Sequence, residues 1–275
     1  MDDRDTHPEA VTHVRARRIC TGKRRKDPVD EDVCVVGETA VTIDVDGVES
    51  FTVLCTPTDR LAMAAGFLFT EGVVEHREDI KSLKECDDDA NTIRVGLAES
   101  ALGRRLDDSG RNLLIVSSCG ACGSENLSER ISALPVVGNS FQIDAEVLRS
   151  VYTALAGHQP LFNASGGAHA AAVFDASGAI LASAEDAGRH NALDKAVGKC
   201  LLSDTSTTGV GVALTSRLSL EMVGKCARTG VELIAAVSAP TSLAIDVAQQ
   251  CNITLCAFVR ETRATVFTYP KRITR

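Results

Sequence analysis

The sequence predicts an α/β fold in two parts: a small unit of strands around one helix, then a larger unit whose mixed or largely parallel sheet is covered on both faces. Three observations predict it. From Ala170 onward, short apolar strands alternate with amphipathic helices, the pattern of a sheet that buries both faces. Between Thr39 and Leu97, two alternating strands joined by Asp46-Gly47 precede one helix and a further strand. The 275 residues, 44% of them apolar, suffice for one large core or two smaller ones.

The elements follow in order. Residues 1 to about 31 lack apolar periodicity and read as a flexible lead-in, in which Arg15, Arg17, Arg18, Lys23, Arg24, Arg25 and Lys26 form a basic run of the kind that is usually a solvated tail. The small unit, 32–112, contains strands at Thr39–Val45, Val48–Leu54 and Thr92–Leu97. Its helix starts after Thr56-Pro57-Thr58-Asp59 and carries Leu61, Ala64, Ala65, Leu68 and Phe69. Residues 113–138 connect the units. Leu113 to Val116 read as a strand, then comes Ser117-Ser118-Cys119-Gly120-Ala121-Cys122-Gly123, then a helix with Leu127, Ile131 and Leu134 on one face. In the large unit, 139–275, helices are predicted at Ile143–Leu155, His190–Leu202, Leu218–Arg228 and Thr241–Cys251. Strands are predicted at Ala170–Phe174, Ala179–Ala184, Val210–Thr215, Leu233–Val237, Ile253–Val259 and Ala264–Tyr269.

Composition excludes several function classes. A net charge of −8 argues against a general nucleic-acid binder, which needs clustered Lys and Arg. No apolar run reaches membrane-spanning length, and Met1-Asp2-Asp3-Arg4 is unlike a signal peptide, so a cytoplasmic protein without membrane partners is expected. Ten cysteines in such a compartment are reduced thiols, and eight stand singly or on apolar stretches as small hydrophobes.

Cys119 and Cys122 are the exception. A glycine-flanked pair at a helix start meets free backbone N–H groups and the positive end of the helix dipole, which favour a thiolate. Zinc would need further ligands, and no second Cys-x-x-Cys or His-x-x-x-His follows, so no permanently bound metal is expected. Three more segments lie where an α/β sheet places its ligands. They are Asn163–His169, a polar loop entering a strand; Glu185–Asn191; and Thr215–Ser219. With His169, Arg189, His190, Ser216 and Arg217 they supply hydroxyls, imidazoles and guanidiniums suited to phosphates and a purine-like edge.

Six ordered segments resemble one family, the formate dehydrogenase accessory sulfurtransferases or FdhD/NarQ group. They are Gly66–Gly72, Ser118–Gly123, Gly166–His169, Glu185–Lys195, Thr215–Arg217 and Ser238–Ser242. The resemblance implies a cytidine-deaminase-like three-layer α/β/α C-terminal domain with a mixed sheet, a small ubiquitin-roll-like α+β domain before it, and a homodimer. It implies a sulfur relay, in which a cysteine desulfurase hands persulfide sulfur to Cys119, assisted by Cys122. The acceptor is the molybdenum or tungsten of a bis(molybdopterin guanine dinucleotide) cofactor needed by the formate dehydrogenase catalytic subunit. Phe258, Val259, Arg260, Glu261, Thr262 and Arg263 align with a family segment assigned to that cofactor, for which GDP is a mimic. Two alternatives remain on the residues alone: a thiol-disulfide oxidoreductase, since Cys-x-x-Cys at a helix start is also its arrangement, and a guanine-nucleotide-binding module with incidental cysteines. Deaminase chemistry is excluded because Ala170 and Ala171 follow His169, and no proline precedes the cysteine pair.

Overall fold

The computed structural model describes residues 10–21, 27–102 and 124–275. In chain order they form β1 (Val11–Arg18), β2 (Val29–Val36), β3 (Thr39–Val45), β4 (Glu49–Cys55), α1 (Arg60–Thr70), β5 (Ile80–Glu85), β6 (Thr92–Leu97), α2 (Ser124–Ser132), β7 (Ile143–Asp144) and α3 (Ala145–Ala156). They continue with α4 (Pro160–Ser165), β8 (His169–Phe174), β9 (Ile180–Asp186), α5 (Arg189–Leu202), β10 (Gly211–Leu214), α6 (Leu220–Arg228), β11 (Leu233–Ala236), α7 (Ser242–Gln250), β12 (Thr254–Arg260), β13 (Arg263–Val266) and β14 (Ile273–Thr274).

The small sheet has the order β4-β3-β6-β5, with β3 and β6 parallel and the outer pairs antiparallel. Asp46 and Gly47 turn β3 into β4 with φ of 53° and 68°, the left-handed region that Asp tolerates and Gly favours. Alternation puts Val41, Ile43 and Val45 under α1, whose Met63, Ala64, Phe67 and Leu68 close the core.

The large sheet runs β13-β12-β11-β10-β8-β9, with β10, β11 and β12 parallel and the remaining pairs antiparallel. Its strands are apolar on both faces, as expected of a sheet covered twice. Ala171, Val173, Val212, Leu214, Ile234 and Leu255 join α5, α6 and α7 in one core, while Ala172, Phe174, Ala213, Ala235 and Cys256 join α3 in another. The predicted alternation of strand and helix is therefore realised as a mixed α/β arrangement.

The two units meet where α1 lies on α5. A Cβ on Gly66 would stand 1.8 Å from the Asp194 carbonyl oxygen, and one on Gly198 would stand 1.8 Å from that of Ala62. Only hydrogen fits at either crossing point. Gly66→Ala must push two backbones apart and is expected to cost about 3 kcal/mol or more, read as a lowered urea midpoint.

Several expectations need correction. Part of the lead-in is a strand: β1 pairs antiparallel with β2, and Arg15, Arg17 and Arg18 reach Asp32, Asp30 and Glu31 across the ribbon. These three arginines are matched by an acidic run on the opposite strand, so opposite charges, not apolar periodicity, set the register, while Lys23, Arg24, Arg25 and Lys26 lie outside the described residues. Asn163 to Ser165 are not loop but the end of α4, closed by Gly166 at φ 68°. β5 was hidden among charged residues because only one side of it is covered. Asp59 precedes α1 without capping it, since its backbone is left-handed and its carboxylate pairs with Lys199 at 2.7 Å.

Candidate functional site

One edge of the large sheet collects the crossings. β10, β11 and β12 end there, β8 begins there with His169, and β9 ends there with Asp186 opposite it. Along this edge the strand order places Asp186, His169, the 215–219 crossing, the 237–241 crossing and Phe258 to Arg260 in one row. Helices α5, α6 and α7 start from the same edge and turn the positive ends of their dipoles toward it.

Much of the Glu185–Lys195 segment is spent on holding that row together. The Glu185 carboxylate accepts the Leu161 and Phe162 N–H groups at 2.8 and 2.9 Å, satisfying the start of α4. Asp186 pairs with Lys195 at 2.6 Å, both fully buried, and accepts from the N–H groups of Gly188 at 2.7 Å and Thr56 at 2.9 Å. Lys195 also donates to the Thr56 carbonyl at 2.9 Å, and Asn191 to that of Leu54 at 2.7 Å. These bonds fix the β9–α5 crossing against the β4–α1 connection.

Arg189 and His190 are left over for other use. Arg189 Nε, His190 Nε2 and the Oγ of Ser219 are each sealed from solvent and form no hydrogen bond among the described residues. Burial, then Arg189 and Lys225, pull the His190 imidazole down to about 4, against the weaker opposite pull of Glu221 and Glu71. Burial and Arg189 lower His169 as well. Its Nδ1 lies 3.5 Å from Thr215 Oγ1, which accepts the Ala170 N–H at 2.9 Å. Both rings are thus neutral at pH 7 beside a guanidinium.

The depressed histidine makes stability depend on pH. The unfolded chain binds a proton near the ordinary 6.5, while folded His190 resists until about 4, so stability is lost as pH falls through that window. Denaturant melts are expected to lose on the order of 2 kcal/mol between pH 7.5 and 5, and His190→Gln to flatten that slope.

The remaining candidates divide. Ser216 is buried and its hydroxyl donates to the Arg217 carbonyl at 3.1 Å, so it braces the loop, whereas Arg217 is exposed. Phe258 is exposed at φ 55°, at a bulge in the β12–β13 pairing, with its ring 6.3 Å from that of Phe267. Val259 is buried in the α3-side core and so faces away from solvent. Arg260 donates to the carbonyls of Val237 at 2.5 Å and Val259 at 2.7 Å, while Glu261, Thr262 and Arg263 are exposed at the turn. The sequence reading places Ser219 in the third ligand segment without singling it out, and missed Phe267 and the buried network beneath His190, in which Lys225 Nζ reaches Glu71 at 2.8 Å and Asp194 at 2.9 Å. The network joins residues far apart in sequence.

Comparison with known proteins adds the lineage. A family model described as FdhD/NarQ family matches residues 36–274. The chain belongs to the FdhD/NarQ family. Among curated FdhD/NarQ relatives, "Sulfur carrier protein FdhD" of Bordetella petrii is 38% identical over 240 residues, covering 87% of this chain and 86% of that one. The protein of the same name from Thermoplasma acidophilum is 35% identical over 261 residues, covering 93% and 92%. A crystal structure of a protein described as a formate dehydrogenase accessory protein from Desulfotalea psychrophila superposes with a TM-score of 0.73 at 25% identity, covering 95% of this chain and 99% of that one.

The FdhD/NarQ match includes Cys119 and Cys122, which lie outside the described residues. The eight described cysteines are all free. Cys55, Cys86, Cys200, Cys226, Cys251 and Cys256 are buried, and burial pushes the thiols of Cys55, Cys200 and Cys251 to about 11 and of Cys256 to about 12. Such thiols are poor nucleophiles at neutral pH. Cys20 and Cys34 lie on the N-terminal ribbon, before the FdhD/NarQ match begins. Among the described residues no cluster of three or more His, Cys, Asp or Glu could hold a metal ion, and no helix is long and apolar enough to cross a membrane.

Proposed function

We propose that this chain is a sulfur carrier that serves formate dehydrogenase, with Cys119 as the carrying residue and Cys122 as its assisting thiol. The observation that carries the reading is the sheet edge, where Arg189 and His190 open α5 and His169 opens β8, with Arg189 Nε and His190 Nε2 unbonded among the described residues, in a chain whose curated relatives are named sulfur carriers. In the first step the Cys119 thiolate attacks the outer sulfur of a persulfide on a cysteine desulfurase. The donor's S–S bond breaks, a new S–S bond forms on Cys119, and the donor cysteine leaves as thiolate.

The acceptor is a substrate, the metal of a bis(molybdopterin guanine dinucleotide) cofactor destined for the formate dehydrogenase catalytic subunit. Its guanine nucleotide meets the Phe258–Arg263 hairpin, where the exposed Phe258 ring offers a stacking face and Arg263 a free guanidinium for phosphate. GDP is the mimic to use. A homodimer in the cytoplasm completes the proposal.

Incubating the chain with a cysteine desulfurase and cysteine is expected to add about 32 Da, one sulfur atom, to the peptide containing Cys119. A chain that gains no mass but cycles readily through a Cys119–Cys122 disulfide would be an oxidoreductase instead.

A further inference from the structure

All but the last residue of the β1–β2 ribbon precedes the FdhD/NarQ match, and no step of the sulfur relay uses it. Its register assigns its two faces, since residues opposite one another in an antiparallel pair point to the same side. Val14, Ala16, Val29, Val33 and Val35 share one face, with Arg18 and Glu31 paired beside them. Arg15, Arg17, Asp30 and Asp32 share the other.

These faces are the wrong way round for a chain that stands alone. At the base of the charged face Val11 packs on Ala10, Leu161 and Ala168, and a Cβ on Gly167 would stand 3.0 Å from Val36 Cγ1, so this face turns toward the chain's own body. The apolar face turns away from it. Val14, Val29, Val33 and Val35 are 45%, 56%, 36% and 38% exposed, whereas a half-covered antiparallel sheet points its apolar side inward. A two-stranded ribbon with its apolar side in water is marginal, which calls for a cover from outside the chain.

We infer that the apolar face of the ribbon is a dimer contact, laid across a second copy of this chain that returns its own ribbon in exchange. The inference rests on the reading that the chain is a homodimer, and names a surface that holds it. Two observations select that occupant. Eight residues per strand give a face about 26 Å long and about 10 Å wide, so a single ribbon on a foreign protein buries roughly 500 Å² counting both sides, below what a specific complex needs. Two ribbons exchanged between copies bury about 1,000 Å², which reaches it. The charges exclude the other two-fold arrangement, edge against edge, because β1 would set its arginines beside arginines and β2 its acids beside acids.

Size-exclusion chromatography with light scattering, run on the full chain across a concentration series, reads the contact. A dimer is expected, weakened about a hundredfold or more in the triple variant Val14→Thr, Val33→Thr, Val35→Thr, whose β-branched side chains keep the strands while their hydroxyls remove the apolar face. Arg15→Thr with Arg17→Thr, on the opposite face, is expected to leave the dimer within about twofold. Hydrogen exchange on the unaltered chain reads the contact without any substitution: the amides of β1 and β2 are expected to exchange more slowly as concentration rises, and exchange independent of concentration overturns the contact. So does a dimer that the triple variant leaves as tight as before, a result that keeps the homodimer and removes the ribbon from it. A triple variant that dimerises normally but no longer takes sulfur from the desulfurase assigns the face to the donor, and likewise overturns the inference. A chain that is monomeric throughout the series overturns the contact and the homodimer together, while sulfur loading of Cys119, read on the same samples, decides the carrier separately.

Discussion

Cys119→Ala is expected to reduce formate dehydrogenase activity, in cells that depend on this chain, to the level of a strain lacking it, while the thermal melt and GDP affinity are unchanged. The effect is large because no other described thiol can substitute. Six are buried, and those of Cys55, Cys200, Cys251 and Cys256 are held protonated to about 11 or above, so their thiolate fraction at neutral pH is negligible. Cys20 and Cys34 belong to the ribbon that precedes the family match. Activity at the parental level in that strain would remove Cys119 from the relay.

Lys225→Met is expected to destabilise the chain by about 3–5 kcal/mol near neutral pH, read from urea melts. The Lys225 side chain is 5% exposed and faces Glu71 and Asp194, each 2% exposed. Burial pulls its ammonium down, but the two carboxylates outweigh burial and leave it raised, so it stays charged. Removing it takes the ammonium from the buried Asp194 carboxylate, and from Glu71, which also faces Arg228 at 3.6 Å, in the joint between α1, α5 and α6. Burial raises the Asp194 carboxyl, which can take up a proton, so the loss is expected to shrink at acid pH, and Asp194→Asn in the same chain to recover part of it. A cost under about 1 kcal/mol would mean that the network is not what ties the two units together.

Which features were legible in the sequence follows from how far each depends on distant partners. The helices of the large unit were read closely because one apolar face repeats every turn; Ala192, Leu193, Ala196, Val197 and Cys200 enter the core as their spacing requires. The β3–β4 hairpin was legible from local turn chemistry at Asp46-Gly47. The β1–β2 ribbon was not, because its register is set by Arg17 meeting Asp30 across a gap that no local window spans. The placement of His169, Arg189 and His190 along one sheet edge was legible because strand ends and helix starts mark themselves locally. Glu185 and Asp186 open the same segment, and their oxygens are occupied by Leu161, Phe162 and Lys195, contacts that only the folded chain brings together.

The transfer itself gives the most direct test. Cys119 is loaded with radiolabelled sulfur from cysteine and a desulfurase, freed of the donor, and mixed with formate dehydrogenase whose cofactor lacks its sulfur. The account predicts that label leaves the chain and arrives on the enzyme's cofactor in equal amount, with activity rising in step. Label that stays on the chain, or is lost to solution while activity rises regardless, would contradict it.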